Sequence, residues 1–149
     1  MWWRGEETEK WTRSLADWLA PVRATGLTSS QTTALITAHT LEWARSKRWK
    51  PATEVPALIE RSSPNGRIYR GRLDVVCERP WWRPPIAIEI DRANKRWSLA
   101  KLIAEADAGH VALWVRWHGD AVIEVPAGVG LVDIRGSIDN PRATRQRVR

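Results

Sequence analysis

Two short stretches carry the residues that could do chemistry: Gly71-Arg72-Leu73-Asp74-Val75-Val76 and Ile86-Ala87-Ile88-Glu89-Ile90-Asp91. Both are aliphatic runs bounded by Gly or Pro, a pattern that predicts strands. Strand alternation puts Ile86, Ile88 and Ile90 on one face and Ala87, Glu89 and Asp91 on the other. In the first stretch, Asp74 faces away from Leu73 and Val75. A carboxylate on an otherwise apolar strand must be compensated, because burying it without a partner is costly. If the two strands pair across the Cys77–Pro85 connection, Asp74 and Glu89 face a common point and form a hard-cation site of oxygen donors. An arginine, Arg72 in particular, could satisfy the same carboxylates without a metal. The residues alone leave both readings open.

The elements that must position these groups follow from the surrounding pattern. Residues 6–19 form an amphipathic helix with Trp11, Leu15, Trp18 and Leu19 on one stripe, ended by Pro21. A second helix runs from Ser29 or Ser30, as N-cap, to Lys47, with Leu35, Ala38, His39, Glu42 and Trp43 along one side. Residues 53–60 and 67–77 make a hairpin around the turn Ser62–Gly66, and Pro56 places the first strand at an edge or bulge. After the 86–91 strand, a helix from Ser98 to Ala108 is capped by Ser98 and stopped by Gly109. Leu99, Leu102, Ile103 and Ala106 are its buried stripe, and Lys101 on the flank can lean back toward the carboxylates. His110–Trp117 reads as a buried strand parallel to 86–91, because strand, helix and strand in succession form a crossover. Short strands are expected at Ala121–Val125 and Val129–Ile134.

The chain has 149 residues, enough for one domain with a substantial core. We assign 1–136 to that domain, with 1–26 as a helical extension, and 137–149 to a basic, flexible tail carrying Arg142, Arg145, Arg147 and Arg149. No apolar run approaches membrane-span length, and Glu6, Glu7, Glu9 and Lys10 interrupt any secretory core at the N-terminus, so no membrane association and a cytoplasmic setting are expected. Cys77 stands alone, which excludes an internal disulfide and a cysteine zinc site. The formal charge of +7 suits a polyanionic partner. Candidate phosphate contacts are Lys47, Arg48 and Lys50 after the second helix, and Arg92, Lys95 and Arg96 after the 86–91 strand. Eleven tryptophans and no phenylalanine mean that Trp fills the core, while Trp81 and Trp82 sit in a loop where they could stack on bases.

The order ααβββαβββ, with Asp on the second strand and Glu-x-Asp on the third, resembles the PD-(D/E)XK nuclease superfamily over residues 29–117. That resemblance implies an α/β, restriction-endonuclease-like three-layer core: a central mixed sheet flanked by helices. It implies a metal-dependent endonuclease or resolvase-like enzyme hydrolysing DNA, double-stranded or branched, with a homodimer left open. The alternative is a nuclease-fold DNA-binding protein without turnover. By position, Asp74 and Glu89 would hold Mg²⁺ or Mn²⁺, with the Ile90 carbonyl and Asp91 as further ligands. Glu42 matches an acidic residue of the preceding helix. Asp91 stands where the family usually has Lys. Lys101 is the first candidate for a lysine moved to the next helix, and Lys95 the second.

Overall fold

The structure, a computed structural model, describes residues 2–80 and 82–139. Its elements run α1 (Trp2–Leu19), α2 (Ser29–Ser46), β1 (Lys50–Ser62), β2 (Ile68–Glu78), β3 (Ile86–Asp91), α3 (Arg96–Asp107), β4 (Val111–Arg116) and β5 (Val129–Asp133). The strands form one mixed sheet in chain order. Pairing is antiparallel from β1 through β3 and parallel from β3 through β5. β1 is an edge strand, and its register with β2 shifts between Pro56 and Glu60, where proline withholds a ladder donor.

Helices cover both faces of the sheet. On one face, Trp11, Leu15 and Leu19 of α1 and Ile36 and Trp43 of α2 pack on Val75, Cys77, Ile86, Ile88, Ile90 and Leu113. Tryptophan replaces phenylalanine there: the rings of Trp11, Trp43 and Trp49 meet edge to face, with centroids 4.7 to 6.2 Å apart. On the other face, Leu102 of α3, with Leu99 and Ala106, packs on Ala87, Ala112 and Trp114. Arg79, its side chain wholly buried, ties the end of β2 to α1 through two bonds to Glu7, at 2.7 and 3.2 Å.

Several local expectations need correction. α2 is capped by Thr28 in a reciprocal capping box with Gln31, so Ser29 and Ser30 lie inside the helix. Its buried stripe is Thr32, Ile36, Thr40, Trp43 and Ala44, and each threonine returns its hydroxyl to the carbonyl four residues back. That local bond lets a polar residue face the core. α3 begins at Arg96 with Lys95 as its cap, and its buried face is Ser98, Lys101, Leu102 and Glu105, whereas Ile103 is exposed. Residues 121–125 are irregular, and no strand forms there. Ile138 is buried in the α1/α2 core and its carbonyl accepts from Ala24, so Ser137 and Ile138 belong to the packed body. Trp81 and the arginines at 142, 145, 147 and 149 lie outside the described residues. No described helix is long and apolar enough to cross a membrane.

Candidate active site

The site forms where β2 and β3 part. They pair only over Val75–Cys77 and Ile86–Ile88. On the other side of β2, Glu54 adopts a φ of 54°, and Thr53 and Val55 pair around it with Val75 and Leu73. The alternation of β2 loses phase at this point: Val75 belongs to the α1/α2 core and Leu73 to the α3 core, not to one face as expected. Asp74 bridges the opening with its side chain. Its Oδ2 accepts from the Ile90 N–H at 2.8 Å, taking the role a strand carbonyl would have filled.

Glu89 lies beside it, buried on the face covered by α3. Its carboxyl group is in hydrogen-bond contact with that of Asp74. Lys101 reaches in from α3, with Nζ 2.6 Å from Glu89 Oε1 and donating to the Arg72 carbonyl at 2.7 Å. The Lys101–Glu89 contact is a close ion pair rather than an aligned hydrogen bond, which leaves the buried Oε1 without a hydrogen-bond partner. Burial, then the hydrogen bond and charge of Asp74, push the Glu89 carboxyl up to about 9 against the pull of Lys101. Without a cation beside it, the Glu89 carboxyl therefore favours its protonated form at neutral pH.

Asp91 is also buried, but it is otherwise engaged. Trp114 Nε1 donates to its Oδ2 at 2.8 Å and Ser98 supplies a second hydrogen bond. Burial raises its carboxyl above the ordinary range despite those bonds, and the Asp74 charge adds to the rise. Lys95 Nζ lies 3.8 Å from Asp91 Oδ1 on an exposed side chain. Gly71 leaves room for the lysine: a Cβ there would sit 2.8 Å from Lys101 Cδ and 2.9 Å from Trp97 Cζ2.

No protein-family model matches the chain, and no curated protein sequence matches it. Among solved structures it is similar to the protein of unknown function AF1548, at 14% identity and a TM-score of 0.37. That alignment covers 68% of this chain and 55% of the other, so the chain spans about half that protein's length.

The residues singled out in the sequence thus divide. Asp74, Glu89 and Lys101 come together, and Asp91 and Lys95 border them. Glu42 does not join. It is exposed on α2, on the opposite side of the sheet, where it pairs with His39 at 3.8 Å. Lys47, Arg48 and Lys50 are exposed, but Lys50 pairs with Glu78 at the end of β2 next to the start of β3, the end of the sheet remote from Glu89. Trp82 is in the loop at that same end, exposed with Arg83 over its ring. Arg92, Lys95 and Arg96 follow the C-terminal end of β3, beside the site. Among the described residues, no three His, Cys, Asp or Glu side chains converge on a metal-sized point. Gly71, Ser98 and Trp114 were missed. For Trp114 a signal exists: in a parallel strand beside β3, it falls on the same face as Glu89 and Asp91.

Proposed function

We propose that the chain is a metal-dependent nuclease of restriction-endonuclease-like fold that hydrolyses DNA phosphodiester bonds. The observation that carries this reading is the convergence of Asp74, Glu89 and Lys101, from three separate elements, on one point where the sheet opens. An arginine salt bridge does not account for Asp74: it has no ion-pair partner among the described residues, Lys101 pairs with Glu89, and the Arg72 guanidinium donates to the Glu54 carbonyl.

The residues fit Mg²⁺ or Mn²⁺. Such ions take one or two carboxylates and keep several waters, so two carboxylates, with the Ile90 carbonyl close by, form a sufficient donor set. The carboxyl–carboxyl contact of Asp74 and Glu89 is what a cation would relieve. Bound there, the ion would supply an acidified water and a Lewis acid for the phosphate. Asp74 is fixed by the Ile90 N–H, which sets its carboxyl plane. Lys101, held by the Arg72 carbonyl, directs its ammonium at the point where charge develops on the phosphate oxygens. Asp91 acts through others: it fastens Trp114 and the first turn of α3, and through that turn it positions Lys101. Cys77 takes no part, since burial pushes its thiol up to about 12.

The test is cleavage of plasmid, single-stranded and branched DNA with Mn²⁺, Mg²⁺ or chelator. The parent should cut with metal and stop with chelator. Lys101→Met should lower the rate by roughly a hundredfold or more while DNA binding persists. Absence of metal-dependent cutting on all three substrates would refute the reading.

A further inference from the structure

The antiparallel pair β1–β2 continues past the last β2–β3 partner, Val75, as a two-stranded ribbon that stays paired to Ser62 and Ile68 across the register shift between Pro56 and Glu60. From Leu73 to Ile68 the ribbon advances about 16 Å at ~3.3 Å per residue. It projects from the end of the sheet that carries Asp74 and Glu89. Arg61, Arg67, Arg70 and Arg72 are all exposed on it, as are Ile68 and Tyr69 near the tip. Arg61 pairs with Tyr69 across the ribbon and lies over the Trp97 ring at 4.9 Å, on the side occupied by α3 and the candidate site. Gly71 packs against that same Trp97 and Lys101. The ribbon also exposes Glu54 and Glu60, but its arginines outnumber them, and a polyanion with an apolar interior edge matches both the arginines and the exposed isoleucine and tyrosine.

We infer that this ribbon is a duplex-DNA-binding arm, resting on the nuclease reading above for the choice of nucleic acid as partner. The major groove of B-DNA is about 12 Å wide and 8.5 Å deep and admits a two-stranded ribbon. The arm is longer than the groove is deep. Arg61 and Arg67 neutralise phosphates, while Ile68 and Tyr69 at the tip meet base edges and methyl groups. With the arm seated, the backbone strand at its root passes the Asp74–Glu89–Lys101 cluster. The arm thus delivers duplex to the site, a task the remote Lys47–Lys50 corner cannot perform.

The test uses the full chain in chelator, with a short fluorescent duplex followed by anisotropy across a salt series. Arg61→Ala/Arg67→Ala/Tyr69→Ala should bind roughly tenfold or more weakly, with a salt slope flatter by about two, near one for each phosphate no longer neutralised. Arg61→Lys/Arg67→Lys should keep the slope. Replacing residues 63–67 by an Asn-Gly turn, which closes the hairpin between Ser62 and Ile68, shortens the arm and removes Arg67 by an independent route, and should weaken binding with a salt slope flatter by about one. Melting curves check that each variant is folded. Parent-like binding by folded triple-alanine and short-turn variants, or no duplex binding by the parent, overturns the arm. Arm-dependent binding without metal-dependent cleavage upholds the arm and overturns the nuclease reading. Cleavage by the parent with parent-like binding by the variants does the reverse.

Discussion

Asp74→Asn separates a metal site from a structural ion pair without any substrate. Asn keeps the shape and the Ile90 contact, since its Oδ1 can accept from the same N–H while its amide donates to Glu89. What it removes is the like charge that helps hold the Glu89 carboxyl at about 9 instead of 4.5. A raised carboxylic acid carries a proton in the folded protein that the unfolded chain has lost. Its contribution to stability is therefore intact below about pH 4.5 and declines as pH rises toward 9. At pH 7 the gap is roughly 2.5 units, a penalty of about 3 kcal/mol. Burial, the largest cause, survives the substitution, so about 1–2 kcal/mol should be recovered. At about 2–4 °C per kcal/mol for a chain of this size, the metal-free melting temperature should rise by roughly 3–6 °C at pH 7.

The assay is a thermal melt of parent and variant, metal-free and with Mn²⁺, at several pH values. The advantage of the variant should vanish near pH 4 and widen through neutrality. Mn²⁺ should stabilise the parent in proportion to the logarithm of its concentration and leave the variant unmoved. A variant less stable than the parent at pH 7, with no Mn²⁺ effect on either, would show that Asp74 is a structural partner and refute the electrostatic argument.

Two further outcomes follow from the packing. Gly71→Ala would drive a Cβ into Lys101 and Trp97, so it should cost about 1–3 kcal/mol and abolish cleavage while duplex binding in chelator is retained; full activity would show that Lys101 tolerates displacement. Glu7→Gln should cost about 1–3 kcal/mol near neutrality by weakening the bonds to the buried Arg79. Burial acts to raise the Glu7 carboxyl, but the Arg79 hydrogen bond and charge outweigh it and hold it low. The stabilisation is thus present above about pH 4.5, fades below it, and should leave parent and variant alike in acid melts.

The sheet was legible because its strands are bounded runs of aliphatic residues, and Asp74 and Glu89 stood out against them. Helix faces were harder. In α2 the buried side carries Thr32 and Thr40, and in α3 it carries Ser98, Lys101 and Glu105. A reading that sends apolar residues inward turns both helices away from their true orientation. The polar groups are tolerated because each has a polar partner: helical carbonyls for the threonines, Asp91 for Ser98, Glu89 for Lys101, and the Leu58 N–H for Glu105. The threonine bonds are local, but the partners of Ser98, Lys101 and Glu105 lie on other elements, so no helical pattern announces them. The hairpin was foreseen, but its projection beyond β3 was not, because that depends on where β2 and β3 stop pairing. The basic residues near Lys47 attracted notice for clustering in sequence, although topology puts them at the wrong end.

The aspartate at position 91, where the proposed resemblance expects a lysine, has a physical reason in the neighbouring strand. Asp91 is level with Arg116 in β4, and Trp114, two residues earlier on the same face, aims its indole N–H at the position 91 side chain. A buried donor requires an acceptor. Lysine has donors only, so at this position it would leave Trp114 unpaired and bury an unpaired ammonium beside it. Aspartate accepts from Trp114 and Ser98 and thereby fixes the first turn of α3. One helical turn of α3 separates Ser98 from Lys101, and residues three apart share a face, so the bond that anchors Ser98 also points Lys101 at Glu89. The acid at 91 and the lysine at 101 are thus one arrangement: the strand position supplies the acceptor that the tryptophan needs, and the helix it secures brings an ammonium to the carboxylates.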